Sequence, residues 1–217
     1  KRLPCTHRPV SLIAFDFDGT LSDSEMTVLL GERAGVADEM ARITQRAMND
    51  EIGYAESLRE RAGLLEGLSP AATQAAFEEV RLRPGMGGLL DRLAADHHVA
   101  ILTGGFERGV AAALDVVDTN VDTIVANRLP TDNGTLTGSV DGPLVEGTKD
   151  DALADLTGEI GADDTVAVGD GANDLPMLEH AGLAVGYDPK PAVAPACDTV
   201  VESVDGLTAE LSAAGLL

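Results

Sequence analysis

Apolar runs with strand character alternate with helical stretches along most of this chain, and this alternation constrains the fold more than any other feature. The strand-like runs lie at residues 10–15, 99–102, 121–125, 165–168, 183–185 and 199–201. Helical patterns separate most of them, at about 85–96, 106–115, 148–160 and 173–181. Such alternation predicts an α/β fold, a Rossmann-like doubly wound parallel sheet with helices on both faces. Ligands of such sheets bind where the strands reach their carboxyl ends.

One long segment departs from the alternation. Residues 23–83 contain no strand-like run, and their pattern indicates helices at 25–34, 37–49, 54–67 and 70–80. Glycines and a proline punctuate the segment, as expected of short connections between helices. We therefore predict a small helical cap domain over residues 23–83, inserted after the first strand of a core domain formed by residues 1–22 and 84–217.

A shorter departure lies at residues 128–138, where Asn133-Gly134 interrupts two strand-like stretches. Asn-Gly favours a type I′ turn, so the segment predicts a β-hairpin. The same residues with Thr135 match a glycosylation sequon, but the turn is the preferred interpretation.

The net charge of −22 excludes several classes of partner. So acidic a surface repels nucleic acid and anionic lipid, and no apolar stretch is long enough to span a membrane. Lysine occurs only at positions 1, 149 and 190, which indicates a high-salt cytoplasm, although an ordinary acidic bacterial protein is the alternative. The start of the chain lacks a signal-peptide pattern, and Cys5 and Cys197 fit no metal spacing. We expect a cytoplasmic protein with both thiols reduced.

The first predicted strand ends in two carboxylates, Asp16 and Asp18. Because alternate residues of a strand share a face, these side chains leave the strand side by side. Two anions this close repel each other unless a cation or a shared proton offsets the repulsion. One carboxylate can attack phosphorus to form an acyl phosphate, while the other transfers the proton. The pair therefore predicts phosphoryl-transfer chemistry.

Two groups suited to phosphate follow later in the chain. Thr103-Gly104-Gly105 comes after a predicted strand and offers a hydroxyl and flexible backbone amides. Taken alone this is a weak signal, because glycine-rich turns are common. Lys149 stands alone between Lys1 and Lys190, and its ammonium could bind phosphate and neutralise the carboxylates. A solvated lysine at the start of a helix is an equally open interpretation.

The run Gly169-Asp170-Gly171-Ala172-Asn173-Asp174 directly follows another predicted strand. Asp170 can supply an oxygen ligand to Mg²⁺, together with Asp16 and the main-chain carbonyl of Asp18. Asn173 and Asp174 then lie in the first turn of the next helix, where they can cap it or serve the site. An Asx-rich turn without a ligand is the alternative interpretation.

The chain thus carries four chemical groups in a fixed order: the carboxylate pair, the hydroxyl with two glycines, the single lysine and the Gly-Asp-rich run. This order resembles the motifs of the haloacid dehalogenase-like phosphatases, and the similarity runs over nearly the whole chain. More narrowly, the chain is similar to the phosphoserine phosphatases, because segments 54–65 and 81–86 match their cap and the return to the core. Two positions depart from that family's pattern. Thr103 stands where the family usually has Ser, and Tyr54 where it commonly has Phe.

The resemblance implies hydrolysis of O-phospho-L-serine with Mg²⁺, the last step of serine biosynthesis, by a monomer or homodimer. Asp16 would be the nucleophile and Asp18 the proton donor and base. Glu25 would bind the ammonium of the substrate and Arg61 its carboxylate, although an ordinary helix-surface ion pair or a solvated charge is the alternative for these two. The implied phosphate-binding and metal-binding residues are Thr103, Gly104, Gly105, Lys149 and Asn173 for the substrate, and Asp16, Asp18 and Asp170 for Mg²⁺.

Two other activities remain open on sequence grounds. The same core could hydrolyse a different small phosphate ester, although Glu25 and Arg61 favour an amino-acid substrate. It could also pass the phosphoryl group to an alcohol such as homoserine instead of water. A non-enzymatic binding module is disfavoured, because the chemical residues are all present together.

Overall fold

The computed structural model describes residues 10–217, so the expectations for Lys1, Cys5 and the start of the chain lie outside the described residues. Within the described part, one parallel sheet is formed by six strands, β1 Ser11–Phe15, β2 His98–Phe106, β3 Thr123–Asn127, β6 Asp164–Gly169, β7 Leu183–Tyr187 and β8 Thr199–Val201. Their order across the sheet is β3-β2-β1-β6-β7-β8. The predicted α/β fold with a parallel sheet is confirmed.

Helices cover both faces of this sheet. Across residues 10–217 they are α1 Met26–Ala34, α2 Ala37–Met48, α3 Tyr54–Gly63, α4 Pro70–Phe77, α5 Met86–Ala94, α6 Glu107–Val117, α7 Lys149–Ile160, α8 Leu175–His180 and α9 Val204–Ala213. Side chains of β1 alternate between two cores: Ile13 and Phe15 pack on one side, Leu12 and Ala14 on the other. Both faces of β1 are therefore buried, as its continuous apolar run requires.

The helices α1 to α4 form the insert between β1 and the rest of the sheet. α1 packs against α4 and α2 against α3, while Leu65 and Leu68 pack into the same apolar cluster as the sheet. At the return to the sheet, Arg83 donates its backbone N–H to the carbonyl of Leu21. The division of the chain into domains at residues 23 and 83 stays a prediction.

A two-stranded hairpin, β4 Thr131–Asp132 and β5 Thr135–Leu136, contacts the insert. Asn133 and Gly134 have φ values of 49° and 84°, so the turn has the positive φ angles that type I′ requires. Leu136 exchanges backbone hydrogen bonds with the loop between α3 and α4: it accepts from Gly67 at 2.9 Å and donates to Leu68 at 3.1 Å. The hairpin thus ties one edge of the insert to the rest of the molecule.

Three details differ from the sequence expectations. The strand β2 extends through Gly104 and Gly105 to Phe106. The helix expected at 173–181 is a short 3₁₀ helix, Ala172–Asp174, followed by α8, which has Pro176 in its first turn. The helix α9 was not anticipated. No helix within residues 10–217 has the length and apolar character to cross a membrane, and Cys197 carries a free thiol.

Candidate active site

The carboxyl ends of β1, β2 and β6 bring the predicted chemical groups together. Asp16 directly follows β1 and continues its pairing, because its N–H donates to the carbonyl of Val168 in β6 at 2.8 Å. Asp16 is nevertheless only 2% exposed, so its carboxylate is held away from bulk water. A buried carboxylate requires a cation or hydrogen-bond donors beside it.

Lys149 supplies that cation. It is the first residue of α7, it is 4% exposed, and its ammonium contacts the carboxylates of both Asp16 and Asp174. The Nζ to Oδ1 distance to Asp174 is 2.5 Å. A solvated lysine at a helix start is therefore wrong for Lys149, which is a buried counter-ion of two acidic groups.

Asp174, for which the sequence leaves helix capping and a role in the site both open, is a central residue of the cluster. It is fully buried, and its second oxygen accepts the backbone N–H groups of Asp170 at 2.9 Å and Gly171 at 2.8 Å. Asp174 thus joins the loop after β6 to the lysine of α7. Its position four residues after Asp170 was visible in the sequence, but its orientation depends on the 3₁₀ turn.

The pKa shifts of this cluster reflect burial first and the crowding of acidic groups second. Burial raises the pKa of Asp16 to about 7, repulsion from Asp174 adds to this, and the contacts with Lys149 offset it only in part. Burial alone would lower the pKa of Lys149, but attraction to Asp16 and Asp174 outweighs it and leaves this pKa above its usual value. A second cation would therefore be favoured here.

The carboxylates fit such a cation chemically. One oxygen from each of Asp16, Asp170 and Asp174 lies within 4.8 Å of the others, and hard oxygen donors are what Mg²⁺ prefers. The oxygens of Asp174 already accept three hydrogen bonds, which leaves Asp16 and Asp170 with the freer acceptors. Burial raises the pKa of Asp170, and Lys190 approaches its Oδ2 at 3.5 Å from the surface side. This cluster could hold a metal ion.

Gly19 allows the Asp170 carboxylate to approach the turn after β1. Its φ is +92°, and a Cβ there would lie 2.7 Å from Oδ1 of Asp170, so a side chain at this position would displace the carboxylate. Arg83 fixes the same turn by donating to the carbonyls of Gly19 at 2.8 Å and Thr20 at 2.9 Å. The two loops therefore meet in one defined arrangement.

Asp18 faces the end of β2. A Cβ added to Gly105 would lie 3.0 Å from its Oδ2, while its Oδ1 is buried and receives no hydrogen bond within residues 10–217. Burial raises the pKa of Asp18 well above its usual value, and repulsion from Glu25 and Asp16 adds to the shift. The shift favours the protonated form of Asp18, the form that a proton donor requires.

Thr103, Gly104 and Gly105 form an irregular end of β2. Thr103 pairs with Ala126 and Phe106 pairs with Asn127, so the two glycines are extra residues that bulge out of the ladder. Thr103 is 1% exposed, and its hydroxyl accepts the N–H of Gly105 at 2.9 Å. The backbone N–H of Gly105, which was expected to bind phosphate, is therefore already bonded to Thr103.

Asn127 holds this bulge in place and was not anticipated. It is fully buried, donates from Nδ2 to the carbonyl of Gly104 at 3.1 Å, and accepts the N–H of Leu144 at 3.0 Å. It thus links the end of β2 to the loop before Lys149. A polar residue at the carboxyl end of a strand was the available signal, but its partners are distant in sequence.

Glu25 and Arg61 approach the cluster from the insert. Arg61 is half-buried on α3, and its guanidinium donates to the Thr27 hydroxyl at 3.4 Å and the Ser57 carbonyl at 3.3 Å. Burial lowers the pKa of Arg61, and it raises the pKa of Glu25. Neither side chain forms an ion pair within residues 10–217, which leaves substrate binding or a solvated charge as the interpretations of these two residues.

A cavity of about 340 Å³ lies next to Lys149. Its lining includes Lys149, Gly104, Asn173 and Pro176, together with Tyr54 of the insert. This volume suits a small ligand. Of the residues predicted from the sequence, Asn173 is exposed and lines the cavity rather than the carboxylate cluster.

Comparisons with known proteins agree with this geometry. Residues 13–179 match the family model described as haloacid dehalogenase-like hydrolase. A phosphoserine phosphatase of Halobacterium salinarum is 54% identical over 91% of this chain and 95% of its own, and one of Lactococcus lactis is 39% identical over 90% and 96%. A solved substrate-bound phosphoserine phosphatase complex superposes with a TM-score of 0.84 at 31% identity, covering 96% of this chain and 99% of that chain.

Proposed function

We propose, from the premise that this chain belongs to the haloacid dehalogenase-like hydrolase family, that it hydrolyses O-phospho-L-serine to L-serine and phosphate. The observation that carries the proposal is the buried pairing of Asp16 with Lys149 beside a cluster of carboxylates. The relatives named phosphoserine phosphatase, which match nearly the full chain, support the choice of substrate.

In the first half of the reaction, a carboxylate oxygen of Asp16 attacks phosphorus, and the bond from phosphorus to the serine oxygen breaks. Asp18 gives its proton to the leaving oxygen, a role that its raised pKa supports. The Thr103 hydroxyl, the backbone at Gly104 and the Lys149 ammonium hold the phosphoryl oxygens as charge moves. The products are an aspartyl phosphate on Asp16 and free serine.

In the second half, Asp18, now a carboxylate, takes a proton from water, whose oxygen attacks phosphorus and releases phosphate and Asp16. Mg²⁺, held by Asp16, Asp170 and the main-chain carbonyl of Asp18, would neutralise phosphate charge when bound. Asp174 positions Asp170 and Lys149 through its three hydrogen bonds.

The amino-acid end of the substrate would be bound by the insert. Arg61 offers a planar fork that suits the substrate carboxylate, and Glu25 offers an anion for its ammonium. Both lie near the cluster without an ion-pair partner among residues 10–217, as free binding groups should. Asn173, at the side of the cavity, would contact the substrate as well.

We further propose that residues 23–83 act as a cap over a core of residues 1–22 and 84–217, and that the enzyme works as a monomer or homodimer in a salt-rich cytoplasm. The acidic composition and the related protein of Halobacterium salinarum support the last point. The ties of Leu136 to the insert suggest that the hairpin would move with the cap.

The test is release of phosphate from phosphoserine and from a panel of other phosphate esters, with Mg²⁺ at low and high KCl. We expect phosphoserine to give the highest kcat/KM, and Asp16→Asn to abolish both turnover and phosphoenzyme formation. Adding alcohols such as homoserine and analysing the products separates hydrolysis from phosphoryl transfer. A preference for another ester would refute the proposed substrate, and an active Asp16→Asn variant would refute the nucleophile.

A further inference from the structure

Tyr54 lines the cavity from the side of the insert. It is the first residue of α3, directly after Gly53, and its side chain shares the cavity wall with Gly104 and Lys149. The residue is 43% exposed, so it is not part of the apolar core. A large aromatic residue in this position must be explained by the cavity that it faces.

The hydroxyl of Tyr54 lies directly over Gly104. A Cβ added to Gly104 would overlap this hydroxyl and would lie 3.2 Å from the ring carbon that bears it. The carbonyl of Gly104 is already bonded to Asn127, and the Tyr54 hydroxyl has no hydrogen-bond partner among residues 10–217. The Tyr54 hydroxyl is therefore a hydrogen-bond donor that faces the bulge at Gly104 and has no acceptor among residues 10–217.

The charged groups around this hydroxyl are those of the proposed reaction. Desolvation of the hydroxyl in this partly exposed residue raises the pKa of Tyr54, and the positive charges of Lys149 and Arg61 offset this only in part. The phenol therefore keeps its proton at neutral pH and acts as a donor. An anionic oxygen bound between Gly104 and Lys149 would lie within its reach.

We propose that the Tyr54 hydroxyl donates a hydrogen bond to a non-bridging oxygen of the phosphoryl group held by Thr103, Gly104 and Lys149. The inference rests on the proposed function, since it requires phosphate in this position. It assigns to the insert a direct contact with the phosphate, in addition to the contacts with the amino-acid end. A phenylalanine at this position would cover the cavity equally well but could not make this bond.

The chain offers a matched control, because Tyr54 and Tyr187 are its only tyrosines and it has no Trp. Tyr187 is 3% exposed and does not line the cavity, and Tyr187→Phe removes the same hydroxyl while keeping the ring that packs against Arg83. We expect Tyr54→Phe to weaken competitive inhibition by inorganic phosphate about 10-fold, the size of a lost hydrogen bond to a charged group. Tyr187→Phe should leave the inhibition constant unchanged.

A spectroscopic titration provides the readout that a purely structural role would not change. In the Tyr187→Phe variant, Tyr54 is the sole tyrosine, and adding inorganic phosphate should shift its ultraviolet absorption. In the Tyr54→Phe variant the remaining tyrosine should show no shift.

The outcomes separate this inference from the proposed function. If Tyr54→Phe hydrolyses phosphoserine and binds phosphate as tightly as wild type, the hydrogen bond is refuted while the function stands. An absorption spectrum that phosphate leaves unchanged refutes it likewise. If wild type neither binds phosphate nor hydrolyses phosphoserine, both proposals fail.

Discussion

Replacing Asp174 with asparagine tests how the carboxylate cluster is held together. The side chain is fully buried, and its two oxygens serve different partners. One accepts the Lys149 ammonium at 2.5 Å, and the other accepts the N–H groups of Asp170 and Gly171. Asparagine has the same shape but only one oxygen, so it can serve only one of these two sets.

The expected loss in the free energy of unfolding follows from the groups that each orientation of the asparagine amide leaves without a hydrogen-bond partner. If the amide oxygen faces Asp170 and Gly171, the NH₂ group meets the Lys149 ammonium and a charged hydrogen bond of about 1.5–3 kcal/mol is lost. If it faces Lys149, two buried N–H groups lose their acceptor at about 1–3 kcal/mol each. Removing a carboxylate also relieves its repulsion with Asp16, which offsets part of the loss. We expect the free energy of unfolding to fall by about 2 kcal/mol.

The assay is urea unfolding in concentrated KCl with a chelator present, so that metal binding does not contribute. Asp155→Asn is the matched control, because Asp155 is exposed on α7, the helix that begins with Lys149. That control should stay within about 0.5 kcal/mol of wild type, as surface substitutions usually do. A loss below about 0.5 kcal/mol in Asp174→Asn would show that Asp174 does not organise the cluster.

Three further perturbations test other parts of the reasoning. Gly19→Ala and Gly35→Ala both place a methyl group at positive φ, and each should lower the free energy of unfolding by about 1 kcal/mol. Only Gly19→Ala should lose phosphatase activity, because only at that position does the methyl group meet Asp170. Equal activities in the two variants would contradict this. Arg61→Ala should lower kcat/KM for phosphoserine at least about 10-fold and should lower kcat/KM for an aryl phosphate much less. As the control, Arg59→Ala removes a surface ion pair with Glu146 and should leave kcat/KM for both substrates unchanged. Equal losses on both substrates would argue against a carboxylate-binding role. The melting temperature of the wild type should rise with KCl, since the net charge of −22 needs screening, and a constant value would refute the halophilic interpretation.

The central part of the fold was predictable because its strands are buried on both faces. β1 and β6 appear in the sequence as continuous apolar runs, which is what full burial demands. The helix α9 has no such signal, since Leu207 and Leu211 are its only buried residues. The end of β2 was also missed, because Gly104 and Gly105 favour a turn in the sequence while the bulge lets the strand continue to Phe106.

Site residues that directly follow a strand could be predicted from the sequence. Site residues whose role depends on a hydrogen-bond partner distant in sequence were harder to predict. Asp16, Thr103 and Asp170 lie at strand ends in sequence, and parallel strands bring those ends together. The roles of Asp174 and Asn127 depend instead on partners that the tertiary fold selects. An Asp or Asn that bonds a distant backbone group looks in sequence like any helix-capping or turn residue.

The distribution of cations explains why this acidic chain keeps lysine at all. Among residues 10–217, the ion pairs in which both side chains are substantially exposed are formed by arginines, whereas Lys149 and Lys190 both contact the carboxylate cluster. An ammonium is a compact charge that fits between Asp16 and Asp174, where a planar guanidinium would force the two carboxylates apart. Selection for an acidic surface can remove exposed lysines at little cost to stability, because surface pairs contribute little. It cannot remove Lys149, because two buried carboxylates would then lack their counter-ion.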